Sequence, residues 1–124
     1  MNSSKLRSLL DAAQKMLRPD PYTAGMWPRG AALLTRQAIE QALDNLWLQR
    51  AAGVENCSMR AQLLCLGHYL RPRDLTDRVT YAWLGLSRAC HHHAYELPPT
   101  AAELHGWMAT AHSLIDAIGE KSTK

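Results

Sequence analysis

Between Leu86 and Tyr95 the chain reads Leu-Ser-Arg-Ala-Cys-His-His-His-Ala-Tyr, which places Arg88, three consecutive histidines (His91, His92, His93) and Tyr95 within ten residues. These residue types suit phosphate chemistry. A guanidinium is permanently cationic, and its planar fork of N–H donors holds phosphate oxygens bidentately. A neutral imidazole near its pKa takes up and returns a proton around neutral pH. Three adjacent histidines also invite a metal reading. Consecutive helical residues point in different directions, however, and cannot all reach one ion. The remaining ligands would have to come from His68, His105, His112 or Cys65, and the Glu-x-x-His pattern of di-metal bundles is absent. The expectation is chemistry without metal or cofactor.

Five stretches of helical periodicity must position this cluster. The first runs from about Ser4 to Leu17 and ends before Pro19 and Pro21. The second opens at Pro28, runs to about Arg50 and stops at Gly53, a C-terminal cap. Its stripe is Ala31, Leu34, Ala38, Ala42 and Leu46, widened by Ile39 and Leu43. The third has Ser58 as N-cap, a stripe of Met59, Leu63, Leu66 and Leu70, and Pro72 as its stop. The fourth starts near Asp74, buries Leu75, Val79, Ala82, Leu86 and Ala89/Cys90, and ends before Pro98-Pro99. The fifth opens on Thr100-Ala-Ala-Glu103, a capping box, with Ala101, Leu104, Met108, Ala111, Ile115 and Ile118 inward. Nothing reads as a strand. The 124 residues predict one all-α domain, an antiparallel bundle of about five helices.

Composition bounds the setting. The net charge of +3 is modest, with its positive excess before residue 91 and a net negative tail after it, so RNA or phosphate binding is permitted but not required. Three cysteines without CxxC spacing read as buried reduced thiols in a reducing compartment. No apolar run has transmembrane length and the N-terminus does not read as a signal peptide, so the expected location is cytoplasmic, without membrane.

On a straight helix at about 100° per residue, Tyr81, Gly85, Arg88, His92 and Tyr95 share one line, while His93 turns about 140° from Arg88 toward the core. The wheel thus pairs Arg88 with His92. Gly85, one turn before Arg88, lets another helix approach, either within the bundle or from a second copy. On the second helix Arg36, Glu40 and Asp44 form an i, i+4, i+8 line, the pattern of a solvated ion-pair face. His112 and Asp116 have the same spacing on the fifth. The tryptophans read as core or interface anchors; a base-stacking role requires exposure.

Arg88, His93 and Tyr95 match the form R-x4-H-x-Y. Here the chain resembles the HEPN superfamily, small helical bundles with R-x4-6-H on a late helix, many of them metal-independent ribonucleases. A toxin branch of that superfamily carries the extended form. The short form is weak evidence in a chain with ten arginines and six histidines, but a tyrosine at fixed spacing makes the match far rarer. Many members have Asn after the arginine, where this chain has Ala89. The resemblance implies an endoribonuclease in which His93, or His92 by the wheel, takes the proton from a 2′-hydroxyl that attacks the adjacent phosphate. Arg88 would stabilise the phosphorane, and the products would be a 2′,3′-cyclic phosphate and a 5′-hydroxyl. It further implies a homodimer with two sites lining one groove, Arg36 and Glu40 flanking the site, and Tyr95 as target of a nucleotidyltransferase-type antitoxin. The alternative is a non-catalytic HEPN-like adaptor or RNA-binding module, favoured by Ala89 and by the core register of His93.

Overall fold

The apolar periodicity is realised, in a computed structural model describing residues 3–17, 27–71, 73–91 and 97–122, as five α-helices (backbone alone at 27 and 120–122). They are α1 (Ser3–Met16), α2 (Trp27–Arg50), α3 (Met59–Leu66), α4 (Arg73–Cys90) and α5 (Ala101–Ser122), with a 3-10 turn at Val54–Asn56. No strand occurs among the described residues, and the chain is an all-α bundle. No helix among them is long and apolar enough to cross a membrane.

Helix α2 is the centre. The end of α1 meets its start, where the Met16 sulfur lies 2.8 Å from the place a Cβ on Gly30 would occupy. Trp83 of α4 meets Glu40 near the middle of α2, and Cys90, two turns further along α4, meets Arg36, one turn earlier on α2. Arg7, near the start of α1, reaches His112 and Asp116 late in α5. Thus α1 and α4 run antiparallel to α2, and α5 runs antiparallel to α1. One core cluster joins residues of all five helices, including Leu6, Leu46, Leu66, Val79 and Leu114.

The central position of α2 explains where its burial departs from a single stripe. Thr35 and Trp47 are fully buried as well, while Leu34 is only half-buried. The Thr35 hydroxyl donates to the Ala31 carbonyl, which satisfies it inside the helix. The Trp47 indole N–H donates to Gln62 Oε1 at 2.9 Å, and Gln62 Nε2 donates to the Cys57 and Glu55 carbonyls at 2.9 and 3.3 Å. One buried amide therefore fastens α3 and the 3-10 turn to α2.

Several boundaries differ from expectation. Helix α3 stops at Leu66, capped at Gly67, well before Pro72, which lies outside the described residues. Two successive i→i+3 bonds, from His68 to Cys65 and from Tyr69 to Leu66, turn the chain there while Leu70 remains buried. Gly53, at φ 111°, does not cap α2 directly; it opens the 3-10 turn, a backbone conformation that glycine adopts without a Cβ penalty. Met59 is half-buried. Ala101 is exposed, because it sits in the capped first turn outside the core, while Leu114 joins the core. The cysteines are free, but Cys57 is exposed and Cys65 and Cys90 are half-buried, so the expectation of buried thiols fails. Cys57 lies in the turn before α3, where its carbonyl is the group the fold uses.

Candidate functional site

Helix α4 carries Arg88 into its last turn and ends at Cys90. This is earlier than the expected end before Pro98. The His91 N–H donates to the Arg88 carbonyl at 3.2 Å, an i→i+3 closure that tightens the helix end, and His91 itself is a bend. Histidine is a weaker helix former than the alanine and leucine of the preceding turns. A straight wheel is therefore justified only through Cys90. His92, His93 and Tyr95 lie outside the described residues, as does any pairing of Arg88 with either histidine. Arg88 is exposed and His91 beside it is exposed.

The side of α4 turned toward α2 is organised differently. Glu40 Oε2 accepts from Arg36 Nε and from Trp83 Nε1, both at 3.2 Å. The Arg36 guanidinium also stands over the Trp83 ring, 5.8 Å from its centroid, a cation–π distance. Burial by itself lowers the Arg36 pKa. The Glu40 hydrogen bond and charge, with the Cys90 sulfur, outweigh it and raise the pKa above the ordinary arginine value. The pair is half-buried in the α2–α4 seam, with side chains 28% and 32% exposed, and is not the freely solvated face its spacing suggests. Asp44, the third member of that line, is exposed and lies in an open groove between α1 and α2 with Lys5, Gln41 and Asn45.

Gly85 is where α4 receives α5. A Cβ there would collide with the Trp107 ring, so the close approach it permits is made by a tryptophan of the same chain. Trp47 is fully buried and Trp83 and Trp107 are half-buried, which makes them packing residues; the Trp27 side chain lies outside the described residues. The exposed aromatic on α4 is Tyr81, a feature sequence spacing could place on the line of Arg88 but not assign to solvent. Ser87 Oγ, next to Arg88, is buried and has no hydrogen-bond partner among the described residues.

His112 and Asp116 are joined through Arg7, which contacts His112 Nδ1 at 3.3 Å and pairs with Asp116. This is a surface link between α1 and α5 remote in sequence from α4. His68 and His105 are exposed. Among the described residues no three His, Cys, Asp or Glu side chains gather as a metal site. Comparison with family models, with curated proteins and with solved structures finds no match to the chain.

The described part of the site thus consists of one exposed guanidinium at a helix end, held on a helix that a half-buried Arg36–Glu40–Trp83 unit locks to α2. An exposed arginine on a fixed element can bind an anion, while Arg36, already engaged by a carboxylate and an indole, is a packing cation.

Proposed function

We propose that the chain is a HEPN-type, metal-independent endoribonuclease acting as a toxin or defence effector. The observation that carries this reading is the R-x4-H-x-Y sequence at Arg88, His93 and Tyr95, with Arg88 exposed in the last turn of α4. An imidazole, His93 by the motif or His92 by the wheel, removes the 2′-hydroxyl proton. The oxygen attacks the adjacent phosphate, Arg88 holds the equatorial oxygens as charge develops, and the 5′-oxygen leaves, taking a proton from the imidazolium or from water. The products are a 2′,3′-cyclic phosphate and a free 5′-hydroxyl. Arg36 and Glu40 support the site by fixing α4 against α2. Two protomers pair so that both Arg88 residues line one groove, and Tyr95 is the point at which a nucleotidyltransferase-type antitoxin silences the enzyme. A cytoplasmic location belongs to the same reading.

The test is incubation of purified protein with mixed RNA in EDTA. Cyclic-phosphate ends are expected from the wild type and are lost in Arg88→Ala, with circular dichroism unchanged. Intact RNA after incubation with well-folded wild-type protein sinks the catalytic reading. It leaves the non-catalytic RNA-binding or adaptor module, which Ala89 in place of the family's Asn favours.

A further inference from the structure

The outward face of α4 carries Tyr81, Leu84 and Arg88 at spacing i, i+3, i+7, so the three lie along one strip of the helix. Tyr81 is 70% exposed and Leu84 is 55% exposed. Of the described tyrosine and tryptophan side chains Tyr81 alone is exposed; Trp47, Tyr69, Trp83 and Trp107 are withdrawn into packing. A ring this exposed contributes little to the core. Asp74 and Asp77 balance Arg73 and Arg78 on the first turns of α4, and no carboxylate lies between Tyr81 and Arg88. The uncompensated positive charge of the strip is therefore at its Arg88 end. Tyr81 and Arg88 are separated by about 10 Å along the axis, a span that an extended single strand covers in a nucleotide or two.

From this juxtaposition we infer that Tyr81 is a stacking platform for an unpaired base next to a phosphate held at Arg88. The inference rests on the ribonuclease reading above and adds a substrate-binding residue to it. A phosphate at Arg88 brings a neighbouring base over the Tyr81 ring, with Leu84 beneath the sugar between them. Paired bases keep their faces inside the duplex, so a flat ring on a convex helix face can recognise only splayed ones. Stacking tolerates every base, so this contact selects strand state and not sequence. Among the described residues no carboxylate pairs with Arg88, so the strip offers a phosphate a free guanidinium on the same face as an exposed ring.

The test uses 2′-O-methyl RNA, which has no hydroxyl to attack, as a short unstructured strand carrying 2-aminopurine and as the matching duplex. Tyr81→Ala is expected to weaken single-strand binding by roughly tenfold or more and to abolish the 2-aminopurine quenching seen with the wild type. Tyr81→Phe keeps both, because the ring and not the hydroxyl stacks. Duplex affinity is the same for all three proteins. Unchanged single-strand affinity and quenching in Tyr81→Ala overturn the inference. So does a loss of affinity accompanied by a smaller sedimenting species, which makes the face a contact between copies. A wild type that binds no RNA overturns this inference and the ribonuclease reading together. A wild type that binds and quenches yet cleaves no RNA in a parallel assay sinks only the catalytic reading.

Discussion

Arg88 in the last turn of α4 and Arg36 on the facing α2 illustrate how the same side chain serves different ends. Arg88 is exposed, so Arg88→Ala should change unfolding free energy by less than about 0.5 kcal/mol while removing the proposed RNA cleavage. Arg36 is half-buried, bonded to Glu40 and stacked on Trp83. Glu40 is the hinge of that unit, because one carboxylate oxygen accepts from both neighbours. Glu40→Ala leaves a half-buried guanidinium and an indole N–H without their acceptor and should cost about 1–3 kcal/mol in urea unfolding. Glu40→Gln keeps an acceptor oxygen and should cost less. Equal stability of Glu40→Ala and wild type would show that solvent replaces the carboxylate without loss. The Arg36–Glu40 spacing was legible in the sequence, but Trp83, more than forty residues away, was not. Partners across a helix interface depend on crossing geometry, which spacing within one helix does not encode.

The helices themselves were largely legible, because periodicity and caps are local. Ser58 accepts from the Ala61 N–H, and Thr100 and Glu103 exchange reciprocal hydrogen bonds at 3.0 Å, as their sequence signatures require. Thr100→Ala should therefore cost about 1 kcal/mol, read as a lower denaturation midpoint. The early ends of α3 and α4 were not legible, since apolar spacing continues past both and the chain turns by i→i+3 closure instead. Nor was Gln62, a polar residue at a buried position whose amide serves Trp47, Cys57 and Glu55 together. Gln62→Leu fills similar space but strands the Trp47 N–H inside the core, and the expected loss is about 1–3 kcal/mol. Gly85 was legible as a point of close approach, but not as the seat of Trp107. Gly85→Ala must displace that ring, and the overpacking cost, about 1–3 kcal/mol, exceeds the gain in helix propensity of up to about 1 kcal/mol. A Gly85→Ala protein as stable as the wild type would mean that the α4–α5 contact yields freely.

At the scale of the whole molecule the charge is mildly positive and its arrangement matters more than its sum. Glu40 is neutralised by Arg36 in the α2–α4 seam, while Asp44, one turn further along α2, has no salt-bridge partner among the described residues. Burial against the α1–α2 groove raises the Asp44 pKa, and the charges of Glu40 and Glu55 raise it further above the ordinary 3.8. The native state therefore binds this proton more tightly than the unfolded chain does. At neutral pH, above the folded pKa, the full cost of holding the carboxylate charged is present. The cost is relieved as pH falls through the raised folded pKa, and it is gone below the unfolded value. Asp44→Asn should accordingly raise the urea midpoint at pH 7, and its advantage over the wild type should shrink on acidification until the two coincide below pH 3.8. The effect is small, because the side chain remains exposed and solvent screens it. Salt separates the causes. Added ions screen Glu40 and Glu55 but not desolvation, so the gap at pH 7 should narrow in high salt without closing. A gap that closes completely makes like-charge repulsion the whole cause, and an advantage that persists unchanged below pH 3.8 assigns the stabilisation to something other than the Asp44 proton.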